Sequence, residues 1–255
     1  MNTQDSKIAL ITGGSRGLGR SMAVHLARQG TGMVLTYRSN RVEADAVVSE
    51  ITRLGGRAAS LQLDTGVVSG FDDFAARLRE TLTKTWARDR FDFLVNNAGV
   101  GAHARFAETT EAQFDELMNV HFKGVFFLTQ KLLPLIADNG RIINVSSGLA
   151  RFSLPGYAAY ASMKGAIETL TKYLARELGE RKIAVNVLAP GAIETDFGGG
   201  QVRDNAEINR FVAANTALGR AGLPDDIGGA IAALLSPDSG WITGQRIEAS
   251  GGMFL

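Results

Sequence analysis

The chain has 255 residues, 45% hydrophobic and 21% charged, with 27 basic against 26 acidic side chains for a net charge of +1. That length can bury a full core in one domain, and the balanced charge excludes the basic bias of a chain whose main partner is nucleic acid. There is no cysteine, so disulfides and thiolate metal sites are excluded, and with only three histidines (His25, His103, His121) no metal is expected.

Met1–Lys7 is polar and enters a short apolar run, Ile8 to Ile11, too short for a signal-peptide core. No later apolar run approaches the roughly 20 residues of a spanning helix. The reading is a cytoplasmic protein without a membrane partner.

Ile8–Thr12 is the first predicted strand. Its apolar run lacks alternation, as in a parallel strand buried on both faces. It runs into Thr12-Gly13-Gly14-Ser15-Arg16-Gly17-Leu18-Gly19, and a helix over Leu18–Gln29 follows. Glycines there let the backbone turn tightly and approach a pyrophosphate, and the helix N-terminus presents free N–H groups and a positive dipole end. The spacing is G-x-x-x-G-x-G rather than G-x-G-x-x-G, and taken alone it also describes an ordinary glycine-rich turn. Gly13, Ser15, Arg16, Gly17, Leu18 and Gly19 are candidate cofactor-binding residues.

The second strand, Met33–Tyr37, is followed by Arg38. A site for NAD carries Asp or Glu here, accepting bonds from the adenosine ribose, whereas Arg pairs a 2′-phosphate. Arg38, with Arg16 as a second cation, points to NADP(H) in preference to NAD(H). The competing reading is a solvated surface arginine.

Helix Arg41–Leu54, strand Ala58–Leu63, helix Phe71–Thr85 and strand Phe93–Asn96 come next. Helical periodicity then spans Glu111–Ala137, with Pro134 bending or closing it. Strand Arg141–Ser146, helix Gly156–Gly179, strand Ala184–Leu188, helix Asp225–Leu235 and strand Gln245–Glu248 complete the chain. Repeated βα units imply a single Rossmann-type α/β domain over 1–255. Its doubly wound parallel sheet has about seven strands, helices on both faces, and a ligand crevice at the strands' carboxyl ends. Gly198-Gly199-Gly200 and the residues after it suggest a lid around 196–215, or a loop ordered by a neighbouring subunit.

Chemistry concentrates after the fifth strand. Ser147 ends it, and Tyr160 and Lys164, spaced i and i+4, share a helix face. A free phenol, with a pKa of about 10, is poorly matched to neutral pH, and a nearby ammonium lowers that value. A tuned phenol can give its proton to a carbonyl oxygen as hydride reaches carbon, while a serine hydroxyl bonds the same oxygen. An incidental Tyr and Lys on one helix would give the same spacing.

In order along the chain, Thr12-Gly13-x-x-x-Gly17-x-Gly19, Asn96-Asn97-Ala98-Gly99, Asn119, Ser147, Tyr160, Lys164 and Pro190-Gly191 with Thr195 resemble the short-chain dehydrogenase/reductase family. Thr243-Gly244-Gln245 and Gly251-Gly252 fit it too, and the resemblance covers essentially the whole chain. Within the family it is similar to 3-oxoacyl-carrier-protein reductases and related carbonyl reductases.

The resemblance implies Tyr160 as general acid/base, Ser147 on the substrate oxygen, and Lys164 on the nicotinamide ribose. It implies that Asn119 holds a water that relays protons through Lys164. It places Asp64 on the adenine amino group with Thr65 beside it, Asn96, Ala98 and Gly99 on the adenosine side, and Pro190, Gly191, Ile193 and Thr195 on the nicotinamide. Asn96 and Asn97 can also bridge neighbouring strands, and Asp64 can cap a turn. His25 and His121 read as structural, His103 as a loop residue within reach of substrate.

Substrate contacts are expected from Val100–Phe106, Leu149–Tyr157 and Phe197–Val212, with Arg105 and Arg151 as candidates for an anionic group. The expected activity is NADP-dependent hydride transfer between nicotinamide and a small-molecule carbonyl or secondary alcohol. A non-enzymatic NADP-binding sensor and a lyase, dehydratase or epimerase on the same fold are the alternatives. The resemblance also implies a homotetramer. The apolar end Met253-Phe254-Leu255 and the residues Phe122, Phe126, Leu170 and Leu174 are expected to face neighbouring subunits.

Overall fold

Seven parallel strands, β1 (Ile8–Ile11), β2 (Gly32–Tyr37), β3 (Ala58–Gln62), β4 (Phe91–Asn96), β5 (Ile136–Val145), β6 (Ala184–Pro190) and β7 (Arg246–Ala249), form one sheet in the order β3-β2-β1-β4-β5-β6-β7. Every neighbouring pair is parallel. This computed structural model describes residues 7–255; positions 1–6, and with them most of the polar segment Met1–Lys7, lie outside the described residues.

Both faces of the sheet are apolar because successive side chains point to opposite sides. In β1, Ala9 and Ile11 join one core with Met22 and Leu26 of α1 (Gly17–Arg28), Val47 and Ile51 of α2 (Arg41–Arg53), and Ile227 and Ile231 of α9 (Pro224–Leu234). Ile8 and Leu10 join the other, with Phe74, Leu78 and Leu82 of α3 (Phe71–Trp86) and Leu128 and Leu132 of α5 (Gly124–Leu132). A strand buried on both faces has no polar positions to alternate, which is why β1 reads as an unbroken apolar run.

The order reverses between β1 and β4, since β2 and β3 lie on one side of β1 and β5 to β7 beyond β4. That switch point opens a crevice at the carboxyl ends of these two strands.

The predicted helix over Glu111–Ala137 is instead three pieces. α4 (Glu111–Met118) starts with a capping box in which Thr110 and Gln113 bond each other's backbone. A π-turn over Asn119–Lys123 follows, then α5. Gly124 explains the interruption: a Cβ there would overlap the Thr65 carbonyl oxygen and lie 2.7 Å from that of Asn119. The helix ends at Leu132, Pro134 sits in a 3-10 turn, and Ile136 already belongs to β5.

The segment 196–215 is not a loop. A turn through Gly198, Gly199 and Gly200, all at positive φ, leads to α7 (Gln201–Asp204) and α8 (Ala206–Ala214). Asn205 caps α8, accepting from the N–H groups of Glu207 and Ile208. The chain's own C-terminus underpins this segment. Met253 is buried with Val212 and Ala221, and Phe254 packs on Phe152 and Phe211 at ring distances of 4.8 and 6.3 Å. The expectation that residues 253–255 dock on a neighbour is therefore corrected for Met253, which is buried within its own chain; Phe254 is half-buried and Leu255 exposed. Among the described residues no helix is long and apolar enough to cross a membrane.

Candidate active site

The glycine turn after β1 is built for close approach. Gly13 and Gly17 have φ of +65° and +52°, conformations that side chains rarely adopt. A Cβ on Gly19 would overlap the Gly13 carbonyl oxygen and lie 2.8 Å from the Asn97 amide nitrogen. Thr36 holds the turn from β2, its hydroxyl accepting from Gly13 N–H at 3.1 Å and its carbonyl from Gly14 N–H at 2.9 Å. The Thr12 hydroxyl accepts from Asn97 N–H and Ala98 N–H, and the Asn97 amide donates back to the Thr12 and Gly13 carbonyls.

α1 begins here with neither a side-chain cap nor an acidic residue in its first turn. Its free N–H groups and positive end suit a diphosphate. Gly17 faces Thr195, 3.7 Å from the place a Cβ would take, so the crevice reaches Pro190 at the end of β6 and the segment after it with Gly191 and Ile193. Ser15 and Leu18 are half-buried on the turn, and Arg16 is exposed at the helix start. These residues fit a dinucleotide: backbone donors, no anion to repel phosphate, and a turn that only glycine can form.

At the end of β2, Arg38 pairs with Asp64 at 3.0 Å, and the other Asp64 oxygen accepts from Gly66 N–H at 2.9 Å. Two residues expected to serve separate parts of a cofactor are thus partners, beside the buried Thr65. Asn96 departs further from expectation. Its amide donates to Asn144 and Thr129 in the sheet interior, so the side chain bridges β4 and β5 and leaves only backbone for a cofactor.

Ser147, Tyr160 and Lys164 converge. Ser147 leads a 3-10 turn, its hydroxyl accepting from Leu149 N–H, and its side chain is near enough to the Tyr160 phenol to act on it. Tyr160 and Lys164 are both buried on the first turns of α6 (Ala158–Glu177). Lys164 donates to the Val145 carbonyl at 2.7 Å, and its Nζ stands 5.6 Å from the centre of the Tyr160 ring.

The electrostatics differ from the sequence reading. Burial pushes the Tyr160 phenol up, against the opposing hydrogen bond from Ser147, so the phenol keeps its proton across physiological pH. Burial lowers Lys164 to about 7. The tuning expected of the ammonium falls on the ammonium itself, because removing it from water costs more than its neighbours return.

Asn119 opens the π-turn that packs against α6. No hydrogen bond connects its side chain to the described residues; the neighbour that touches Tyr160 is His121, edge-on at 5.1 Å and 87°. His121 is buried and packs against Tyr160, as the reading of it as structural expects. His25 is structural, bonding Ser21 on its own helix.

Behind Ser147 lies a second group that the sequence did not reveal. Arg246 donates to Glu168, Glu248 and the Ser147 carbonyl, and Ser146 donates to Glu168. Arg151, expected to meet an anionic substrate, is committed elsewhere: it grips both Glu248 oxygens and the carbonyls of Met253 and Phe254. These contacts hold Glu248 down at about 2.

Apolar residues surround the Tyr160 side chain. Phe197 lies 5.9 Å from Tyr160, and Val100, Ala102 and Leu149 pack beside it. A cleft continues outward between Leu149, Phe106, Leu154, Pro155 and Tyr157, with Arg105 its one charged residue. His103 stacks edge-on against Tyr157 at 5.0 Å, over Gly156. Among the described residues no group of three or more His, Asp or Glu side chains could hold a metal ion.

Comparison with known proteins agrees with this geometry. A family model described as enoyl-(acyl carrier protein) reductase matches residues 13–254. The structure of the promiscuous reductase LugOII, which catalyses keto-reduction at C1 during lugdunomycin biosynthesis, is similar with a TM-score of 0.93 and 38% identity, covering 100% of both chains. The angucycline C-6 ketoreductase LanV with bound NADP is similar with a TM-score of 0.92 and 37% identity, over 97% of this chain and 95% of that one. A hydroxynaphthalene reductase-like protein of Metarhizium brunneum is 35% identical over 257 residues, 96% of this chain and 94% of its own. With a family match over nearly its full length, a switch-point crevice behind a glycine turn, and Ser147, Tyr160 and Lys164 brought together beside it, the chain belongs to the short-chain dehydrogenase/reductase family of oxidoreductases.

Proposed function

We propose that the protein is an NADP-dependent ketoreductase that reduces a carbonyl on a fused-ring aromatic substrate. The observation that carries the reaction type is the contact of a buried, protonated Tyr160 with Ser147 and its neighbour Lys164. Bound at the glycine turn, a reduced nicotinamide supplies the hydride. Ser147 and Tyr160 donate hydrogen bonds to the substrate oxygen, stabilising the charge that grows there. Tyr160 then gives up its proton, and Lys164 beneath the ring stabilises the phenolate left behind. The glycine turn and the N-terminus of α1 hold the diphosphate, Arg38 the 2′-phosphate, and Ile193 and Thr195 border the nicotinamide side.

The substrate class rests on the cleft and on the relatives. The cleft is apolar and aromatic, with Arg151 withdrawn from it. Among the relatives, one is named for hydroxynaphthalene, two fused aromatic rings, and LanV has also been solved with NADP and rabelomycin. Exposed Phe126 and Tyr173, on α5 and α6, support the homotetramer that the family resemblance implies.

NADPH oxidation with a fused-ring ketone, an acyl-carrier thioester and a keto sugar tests the proposal. The fused-ring ketone should turn over fastest. Tyr160→Phe should lose roughly 100- to 10,000-fold in kcat while still binding NADPH. Wild-type rates in that variant would refute the role of Tyr160, and preference for the thioester would refute the substrate class.

A further inference from the structure

Each nitrogen of the Arg246 guanidinium addresses a different element. Nε donates to Glu168 on α6 at 2.7 Å, Nη1 to Glu248, two residues on along β7, at 2.6 Å, and Nη2 to the Ser147 carbonyl oxygen at 3.2 Å. The side chains of Arg246, Glu168 and Glu248 are only 22%, 19% and 17% exposed, so water screens these pairs less than pairs on the open surface. Glu168 stands one turn beyond Lys164, as Lys164 stands one turn beyond Tyr160, and it also accepts from the Ser146 hydroxyl at 2.7 Å.

Glu248 receives the other end of the same turn. Ser147 leads the 3-10 turn and Arg151 closes it, and Arg151 donates to the two Glu248 oxygens at 2.8 and 2.7 Å. Arg246 and Arg151 thus tie both ends of the segment 147–151 to one strand, with charge alternating in sign from Glu168 through Arg246 and Glu248 to Arg151. A single 3-10 turn has little hold of its own. What it carries depends on angle: the Leu149 N–H donates to the Ser147 hydroxyl oxygen at 3.2 Å, which leaves the hydroxyl proton free for a substrate oxygen. Leu149 also lines the apolar cleft.

We propose that Arg246 is a positioning residue for the reduction: it fixes the turn 147–151 against α6, so that the Ser147 hydroxyl and the Tyr160 phenol meet the same substrate oxygen. The proposal rests on the ketoreductase reading. Arg246 acts through Ser147, and it gains and loses no proton. Its planar fork suits the role, since donors in fixed directions reach α6, β7 and the turn together, whereas the compact ammonium of a lysine cannot span all three. A small displacement of a hydrogen-bonding group at a reacting centre costs rate rather than substrate affinity, because the bond it spoils is strongest in the transition state.

A double-mutant cycle tests the proposal, read by single-turnover reduction of the carbonyl that wild-type enzyme reduces fastest. Arg246→Lys keeps the charge and loses the fork. It should bind NADPH within about twofold of wild type and lose about tenfold in the rate of reduction, with carbonyl affinity nearly unchanged. In a Ser147→Ala background the same substitution should cost less than about twofold, because the group it positions is gone. Glu168→Gln is the milder change, since it keeps the oxygen that both Arg246 and Ser146 use and removes only the charge. It should lose about threefold with the same dependence on Ser147, and it carries the cycle if Arg246→Lys does not fold. Amide hydrogen exchange without cofactor reads the hold itself: residues 147–152 should exchange faster in Arg246→Lys while β1 keeps its wild-type protection. A full rate in Arg246→Lys, an equal loss with and without Ser147, or unchanged exchange over 147–152 would each overturn the proposal. If wild-type enzyme reduces no carbonyl with NADPH, the ketoreductase reading fails, and the exchange result alone decides whether Arg246 holds the turn.

Discussion

Preference for NADPH over NADH should depend on a competition between two charged groups. Arg38 is paired with Asp64 at 3.0 Å, and the two side chains are 63% and 34% exposed. An ion pair so open to water is worth about 0.2–1 kcal/mol. A charge-assisted bond from Arg38 to a 2′-phosphate contributes about 1.5–3 kcal/mol. Turning Arg38 from Asp64 to the phosphate therefore leaves a net gain of about 0.5–3 kcal/mol, or roughly two- to a hundredfold tighter NADPH. Arg38→Ala should remove that factor and leave NADH almost unchanged. Asp64→Asn should act in the opposite sense. It releases Arg38 and removes a negative charge near the phosphate, yet keeps an acceptor for the Gly66 N–H. The NADPH/NADH ratio should rise by up to about fivefold in that variant, and any bond from residue 64 to adenine, common to both cofactors, cancels from the ratio. Calorimetric titration of both cofactors, at low and high salt, measures this directly, and the wild-type preference should shrink as salt rises. Equal dissociation constants in wild type at low salt, or a fall in the ratio for Asp64→Asn, would refute the reasoning.

Gly19→Ala should abolish binding of either cofactor and lower stability, because its Cβ meets backbone at Gly13 and the Asn97 amide rather than a flexible side-chain end; tight cofactor binding in the folded variant would contradict this. Arg151→Leu leaves Glu248 and two C-terminal carbonyls short of a donor and should lower Tm measurably in calorimetry; an unchanged Tm would show the C-terminal grip to be idle. Lys164, lowered to about 7, should impose an inflection near that pH on kcat/KM for reduction. The rate should rise as pH falls and the ammonium forms, and a flat profile between pH about 6 and 8 would exclude Lys164 as the titrating group. Glu248 has its folded value lowered to about 2 from an ordinary 4.5, so its contribution to stability is present above pH 4.5 and lost as pH falls towards 2. Glu248→Gln should flatten that acid limb in denaturation curves.

Much of this protein was legible in the chain itself. The seven strands and their connecting helices show as alternating apolar runs and helical periods, because each buried strand and amphipathic helix carries its period in consecutive residues. The glycine turn is legible for a similar reason: Gly13, Gly17 and Gly19 meet a steric demand that is local to the turn. Ser147, Tyr160 and Lys164 are recognised by order and spacing. The tertiary structure decided what depends on distant partners. Arg38 and Arg151 look alike as isolated cations, yet one pairs with Asp64 at the crevice and the other binds Glu248 and the C-terminus. Asn96 and Asn97 are neighbours in the sequence, but one turns into the sheet and the other ties the glycine turn. Periodicity runs unbroken across Asn119–Lys123, and only the approach of Gly124 to Thr65 introduces the π-turn that carries His121 to Tyr160. Patterns along the chain determine which elements form and which faces they bury. Which polar groups end up paired is settled only when remote segments meet, since a charge or an amide has no period to announce its partner.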